Sequence, residues 1–592
     1  MIRELVDYGT KIRKNHEALK FEPISIDLII NEDGSFARFS VIQRIFRLAE
    51  ALTVKKGHAR LLLDRAEEVI CYLSEKEIKN NNNDVTKARE KVYAKHKLFL
   101  SKLNEYKELE VLTPVFLFYY DNSKNGITVA KKEFEQQVPE SERGGNIAFR
   151  INDMRLHEQK AVHDAIIEKY EKSIAKSLEP NTPFCSVCGR NKYPIARLHE
   201  KIKGLPPYND GKSNNRLMIS YNKNSFLSYG LTQSTNSRIC TNCAKNYTEA
   251  LNNLIENKQQ RKKFGYDTTV VYWTRENTEL GELDLLDKPD PEAVGMLINS
   301  IATGKQDVSG NFETNRFYSL TLSGAAARIA VRDWIEIGLD EYKKNIAIWF
   351  EDIAIKAYGV IQYASIYQLA DSCHKMSKSS KDNDPVISRV ATYLWNSALK
   401  SDSIPPLWIL TAVLKRIRVI EMTDDGRSRE TMTPVRASLI RLILNRNFKY
   451  KKGYTMQKEE LDPENKNPSY LCGRIFAVME GIQRAALGKN LNAGIRERFF
   501  SAASTNPSPA FGRLMRLSQN HLSKLKQEKP GVAVILDREL QYLCSAISAF
   551  PAILSLEEQG QFALGYYHQK QYDFDRAKKH EEFKSITENM ED

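Results

Sequence analysis

Two short cysteine pairs constrain this chain more than any other feature. Cys185-Ser-Val-Cys188 and Cys240-Thr-Asn-Cys243 stand 51 residues apart. The C-x-x-C spacing lets two thiolates reach one ion from a tight turn, and two such knuckles supply a closed tetrahedral zinc (Zn2+) site. A chain that shares one ion between them must return on itself, so the site staples the base of a long excursion. Four thiolates leave no open position, so the site is structural rather than catalytic. The alternatives are two unrelated pairs of reduced thiols, or a thioredoxin-like redox motif, for which no strand–helix context is evident at either pair. Cys71, Cys373, Cys472 and Cys544 are isolated and read as packed thiols rather than a disulfide framework. His199 lies near the first pair and reads as a further ligand, a phosphate contact or a packed imidazole. With four thiolates available, ligation ranks last among these.

The excursion concentrates the charge of the chain. Residues 185–263 hold 14 Lys+Arg and 4 Asp+Glu, a net of +10, against +13 for all 592 residues. From Gly211 to Thr248 there is no acid at all. Lys201, Lys203, Lys212, Arg216 and Lys223 are positioned to contact phosphates. Tyr221, Phe226 and Tyr229 can stack on bases, and Asn222, Asn224 and Gln233 can donate to backbone or base edges. Charge, amides and aromatics coincide here, which favours nucleic acid. The competing reading is a half-buried strand pair whose aromatics are core and whose cations are solvated. A second basic region, 479–530, has 9 cations and 3 acids. There Arg484, Lys489, Arg496, Arg498, Arg513 and Arg516 either flank a nucleic-acid strand or form a solvated helix face.

The chain divides into five stretches. Residues 1–180 read as a mixed α/β domain, 181–263 as the basic cysteine module, and 264–375 as the rest of an α+β region. Residues 376–385 (MSKSSKDNDP) read as a linker, and 386–592 as an all-α helical bundle. Residues 1–20 carry an amphipathic helix. Ile24, Ile26 and Leu28 alternate with polar residues ahead of Asp33-Gly34, a strong hairpin signal. Leu61–Leu63 and Ala66 begin a helical stretch ending in the polar tract Asn80–Asp84. Helices are expected near 86–110, 156–178 and 290–303, with a turn at 304–310. Val111–Tyr120, Thr268–Trp273 and Phe317–Leu322 read as strands, and the sequence from Ala325 onward reads as helical. In the bundle, Leu536, Leu540, Leu543 and Ile547 share a helix face, and Pro405-Pro406, Asn506–Pro509 and Lys529-Pro530-Gly531 separate helices. No run of about 18 apolar residues suggests a membrane span, and the charged N-terminus lacks a signal-peptide core, so a cytoplasmic location is expected.

Chemistry is sparse. The acidic run Glu276–Glu292 reads as a solvated connector, or as a divalent-metal site of a nuclease using Asp284 and Asp287. No Walker loop, dinucleotide fingerprint or nucleophile elbow is present, and no catalytic constellation emerges.

Several strings, in order, resemble the large subunit of the CRISPR subtype I-C Cascade surveillance complex. They are PIARLHEKIKG, LMISYNKNSFLSYGLTQSTNS, NYTEALNNLI, VYWTRE and FYSLTLSGAAARIAVRDWIE, then LDPENKNPSYLCGRIFAVMEGIQ and FPAILSLEEQGQFALGYYHQ. The resemblance implies a non-catalytic subunit that recognises the protospacer-adjacent motif in duplex DNA and stabilises the R-loop. Implied partners are crRNA, target duplex and displaced non-target strand, repeated backbone subunits, a crRNA-processing subunit, a small subunit and a transient helicase–nuclease. It also implies a separate small-subunit product of about residues 479–592, started at Met479. The zinc site rests on spacing and not on the resemblance. A free-standing single-strand-binding protein is the alternative function, and the metal-dependent nuclease a further one.

Overall fold

The fold comes from a computed structural model that describes residues 1–13, 15–51, 59–178, 182–206, 216–265, 267–303, 315–325, 328–374, 385–419, 421–422, 428–488 and 494–591. The expected turn at 304–310 and all of the 376–385 linker except Pro385 lie outside these residues. Two compact units emerge. One comprises Met1–Glu200 and Ile219–Ala250, the other Lys201–Met218 and Leu251–Asp592.

The first unit is built on a sheet in which β1 (Leu19–Ile30) and β2 (Phe36–Glu50) form the expected hairpin. Gly34 takes φ +80 at its turn, a conformation that favours glycine, and the Asp33 carboxylate accepts from the Ser35 N–H at 3.0 Å. β1 then pairs in parallel with β4 (Asn146–Ile151), which takes β3 (Leu63–Arg65) and β5 (Met154–Arg155) as antiparallel partners. Ile24, Ile26, Leu28 and Ile30 are buried as expected, but Ser25 and Asp27 between them are buried too, so β1 is covered on both faces there. Asp27, buried between them, is held by Arg155 at 2.8 Å and Arg150 at 3.3 Å, so its charge is paired rather than isolated.

Two expectations fail in this unit. Val111–Tyr120 is not a strand: after a single 3-10 turn it forms the helix Thr113–Tyr120. Leu112, Val115 and Phe118 face the core at intervals of three, and Pro114 sits in the first turn, where its missing N–H costs nothing. Because the run is apolar apart from Thr113, periodicity could not separate helix from strand. The stretch from Leu61 is not helical at its start either. It supplies β3, with Leu62 at φ +62, before the short helix Ala66–Val69. The expected helices near 86–110 and 156–178 are present as Val85–Asn104 and Lys160–Ser177.

The second unit opens on an antiparallel sheet ordered β6 (Arg261–Phe264), β7 (Thr268–Thr274), β8 (Arg316–Ala325), β9 (Arg328–Gly338). β9 corrects the helical reading from Ala325, and the helix begins only at Leu339. In β9, Ile335 and Ile337 are buried on either side of exposed Glu336, a period of two.

The rest of this unit is helix-rich, from Pro385–Leu399 to Leu556–Glu591. The proline breaks become helix starts: Leu407–Arg418 follows Pro406, and Pro507 and Pro530 each open a helix. Helices Pro468–Leu487 and Leu556–Glu591 touch backbone to backbone. A Cβ at Gly473 would meet the Phe562 carbonyl, and one at Gly565 the Tyr470 carbonyl. Buried arginines bind main chain. Arg441 donates to the carbonyls of Glu351 (2.7 Å), Asp352 (2.9 Å) and Ala354 (3.1 Å), capping the C-terminal end of helix Leu339–Ile353 with a cation. Among the described residues, no helix is long and apolar enough to cross a membrane.

Candidate metal centre and nucleic-acid surface

The cysteine pairs meet in the first unit. The Gly189 N–H closes a turn on the Cys185 carbonyl at 2.9 Å, and Gly189 adopts φ +68. The Val187 N–H points at Cys185 Sγ at 3.4 Å, as does the Cys240 N–H at 3.3 Å. The second pair is carried to the first by main-chain bonds: Ala196 N–H to Ile239 O at 2.8 Å, Thr241 N–H to Pro194 O at 2.9 Å, and Ser186 N–H to Arg238 O at 3.0 Å. All four Sγ atoms lie within 4.8 Å of one another, with Cys185, Cys240 and Cys243 buried and Cys188 exposed. A tetrahedron of about 2.3 Å zinc–sulfur bonds has edges of roughly 3.8 Å, so closure onto an ion needs only small movements.

Charge within the cluster is shared unequally. The Cys243 thiol donates to Cys240, which lowers the Cys240 thiol to about 5. The same hydrogen bond, with burial and the neighbouring sulfurs, pushes Cys243 up. Four ionised thiols in this space require a cation. The donor set, its burial and the N–H groups aimed at sulfur are compatible with a zinc site. The second pair opens the helix Thr241–Glu256, a context not recognised from sequence, and the positive end of that helix favours thiolate. His199 is not part of the cluster. It is buried with Nδ1 2.7 Å from the Tyr247 hydroxyl, and burial lowers it to about 4, as a packed imidazole behaves.

The excursion between the pairs serves two ends. In the second unit, Lys201 and Lys203 are exposed on either side of buried Ile202, which bridges Arg216 in antiparallel fashion. Arg216 is fully buried. It donates to the Pro206 carbonyl at 2.8 Å and lies so close to Gly324 that a Cβ there would stand 2.8 Å from the guanidinium carbon. It therefore shapes the arm from inside rather than facing a phosphate. Lys212 lies outside the described residues.

In the first unit, residues 221–237 form a series of 3-10 turns (Asn224–Phe226, Ser228–Gly230, Gln233–Ser237) rather than the alternative strand pair. Tyr221 and Phe226 meet edge to face at 5.3 Å and are half-buried, and Asn236 holds the Phe226 carbonyl at 2.9 Å. Tyr229 is 99% exposed at φ +62. A bulky residue in the left-handed region is strained. Asn222, Lys223, Asn224 and Gln233 are exposed beside it in sequence.

The bundle cations separate in the same way. Arg496 donates to Ile417 O (2.7 Å) and Thr431 Oγ1 (2.8 Å) and covers the Phe500 ring at 3.5 Å. Arg484 pairs with Glu480 at 3.1 Å. Arg498 is exposed, and Arg513 and Arg516 are exposed one turn apart on helix Pro507–Glu528. Lys489 lies outside the described residues. Met479 is buried in the middle of helix Pro468–Leu487, so a product begun there would lack the half that carries Tyr470 and Gly473. In the acidic run, Asp287 pairs with Lys262 and Glu282 with Lys343 at 3.2 Å. Among the described residues, only the four cysteines gather closely enough to hold one ion.

The model of a family described as CRISPR-associated protein (Cas_Csd1) matches residues 5–574. No curated protein matches the chain.

Proposed function

The chain belongs to the Cas_Csd1 family of CRISPR-associated proteins, and from that premise we propose that it is the large subunit of a type I-C crRNA-guided Cascade complex. In this reading it meets the protospacer-adjacent motif in duplex DNA and steadies the opened strands, while guide pairing reads the sequence. That division of labour is general to RNA-guided effectors. The family match over nearly the whole chain carries the reading. The exposed lysines Lys201, Lys203 and Lys223 and the uncovered Tyr229 support it, since phosphate contacts and base stacking need such groups.

The protein acts through charge and shape, with no active site of its own. Cys185, Cys188, Cys240 and Cys243 hold a structural zinc ion, which when bound supplies folding free energy to the module. The cysteines tie the ends of the excursion, and Arg216 props its arm from within.

Expression of the full chain with its companion subunits and a defined guide tests the reading. Capture on the large chain should recover that guide RNA together with a repeated backbone subunit. Recovery of the chain alone, with the other components assembled and present, would overturn it.

A further inference from the structure

One edge of the sheet in the first unit is open. β2 is the terminal strand in the order β2-β1-β4-β3, so among the described residues no strand lies along its outer side. The register says which groups face that side. The Ala51 N–H reaches the Ala18 carbonyl at 2.8 Å, and Leu19 pairs with Glu50, Phe21 with Leu48 and Pro23 with Phe46. Bonded and non-bonded pairs alternate along an antiparallel ladder, so Phe46 and Leu48 turn their N–H and C=O groups outward. Pro23, opposite Phe46, has no N–H to give, and its carbonyl faces the other way to accept from Asn146 Nδ2 at 2.8 Å. Upstream, helix Gly126–Gln137 supplies the Gln137 side chain to the Phe39 N–H at 2.7 Å. Among the described residues, the outward groups of Phe46 and Leu48 meet only the Arg47 guanidinium, on the Phe46 carbonyl at 3.1 Å.

Edges are ordinarily blunted by lysine, proline or short length. β2 runs for 15 residues without lysine, proline or glycine, and its register shifts lie upstream of Ile45. Phe21 and Phe46, 56% and 54% exposed, are diagonal neighbours on one face, with half-buried Pro23 and Leu48 beside them. Charge selects the occupant. Arg38, Arg44 and Arg47 are exposed, and the one acid of β2, Glu50, pairs with Lys102 at 2.6 Å. Arg47 has Glu158 at 3.2 Å, but among the described residues Arg38 and Arg44 have no ion pair. A second copy of β2 would set arginines against arginines, which is unfavourable. Phosphates would suit the arginines but only accept, so the Leu48 carbonyl would gain no donor from them. An extended peptide brings donors and acceptors in alternation.

We propose that β2, from Ile45 to Ala49, receives an extended segment of a companion protein as an added strand, with apolar residues opposite Phe46 and Leu48 and an acid near Arg44. The inference rests on the assembly reading above and adds a protein-docking edge in the first unit.

The full chain is compared free and in the guide-loaded complex by amide-resolved hydrogen exchange. The Phe46 and Leu48 amides should exchange fast in the free chain and slowly in the complex. Phe46→Pro deletes an outward N–H, whereas Phe46→Ala keeps it, and thermal unfolding checks that both variants fold. Phe46→Pro should weaken assembly about tenfold relative to Phe46→Ala, because a carbonyl of the added strand loses its donor. Arg44→Glu should weaken assembly in the same direction. Slow exchange already in the free chain, no slowing in the complex, or equal assembly of the two Phe46 variants overturns this inference and leaves the broader reading standing. Slowing by guide RNA alone assigns the edge to nucleic acid, and slowing that grows with the concentration of the free chain assigns it to a second copy; either overturns the inference. Failure of the unaltered chain to assemble with its companions overturns both.

Discussion

Residues 185–243 and residues 434–567 differ most in what holds them. Among its described residues the first stretch is mostly turns, with a few buried residues such as Cys185, Ala196, Ile239, Cys240 and Cys243, and exposed Arg190, Lys192, Arg197, Lys223 and Tyr229 around them. The second buries long runs of helix, Leu439–Leu444 and Phe562–Leu564 among them, and even takes Arg436, Arg441 and Arg446 inside. Each of these guanidiniums is bound by main-chain carbonyls, as with Arg446 on Ser397 O at 2.5 Å. A module with so little apolar surface to bury gains little from burial against the entropy of ordering its chain, and a metal cross-link at the four cysteines would supply the difference. The bundle needs none. The same residue type thus has different tasks: Arg190, Lys192, Arg197 and Lys223 face solvent around the cysteines, whereas Arg216 and the three bundle arginines bind carbonyls from inside.

The largest expected effect separates the two directly. Cys240→Ser, or a strong chelator, should remove on the order of 10 kcal/mol of metal-linked stability from the module alone. Hydrogen exchange should rise sharply in peptides from 186–239 and stay low in 434–567, and mass spectrometry of the intact chain should lose one zinc. Equal protection before and after would show that sulfur does not hold the module. Next, Gly565→Ala puts a Cβ against the Tyr470 carbonyl, where only backbone can yield. A loss of about 2 kcal/mol or more is expected in urea unfolding of the bundle. A neutral result would mean that the helices do not approach so closely.

Acid should weaken the bundle by a comparable amount through His568. Its folded value is lowered to about 3, while the unfolded chain takes a proton near 6.5. The unfolded state therefore binds more protons between these limits. Stability is full above pH 6.5, falls as the pH drops, and is lower by about 2 kcal/mol at pH 5. His568→Phe should flatten that part of the profile, and an unchanged slope would assign it to other groups. The smallest effect lies in the module. Tyr229→Gly should relieve the left-handed strain and change stability by no more than about 1 kcal/mol, in the stabilising direction. The same change should weaken strand binding, because the exposed ring is lost. Unaltered binding would free Tyr229 from any role in contact.

Much of the fold was legible from local patterns. The Asp33-Gly34 hairpin, the apolar positions of β1 and the proline breaks between helices each depend on a few neighbouring residues. The failures share a cause. Val111–Tyr120 carries no polar residue to set a period apart from Thr113, and β9 carries charges on both faces because one of its faces is only partly covered. Candidate cations were legible as a group but not one by one. Lys201 and Arg216 look alike in sequence, yet one is exposed and the other fully buried.

The sequence by itself determined that each C-x-x-C pair would bring two sulfurs together, because a turn of four residues is a local matter. It also determined where charge would collect, since composition does not depend on folding. Only the tertiary structure decided that the two pairs share one site, through the bonds of residues 194–196 to 239–241. It alone turned Arg216 inward beneath Gly324 and left Tyr229 bare. Burial is set by what distant segments place around a side chain, and no short stretch of sequence contains those neighbours.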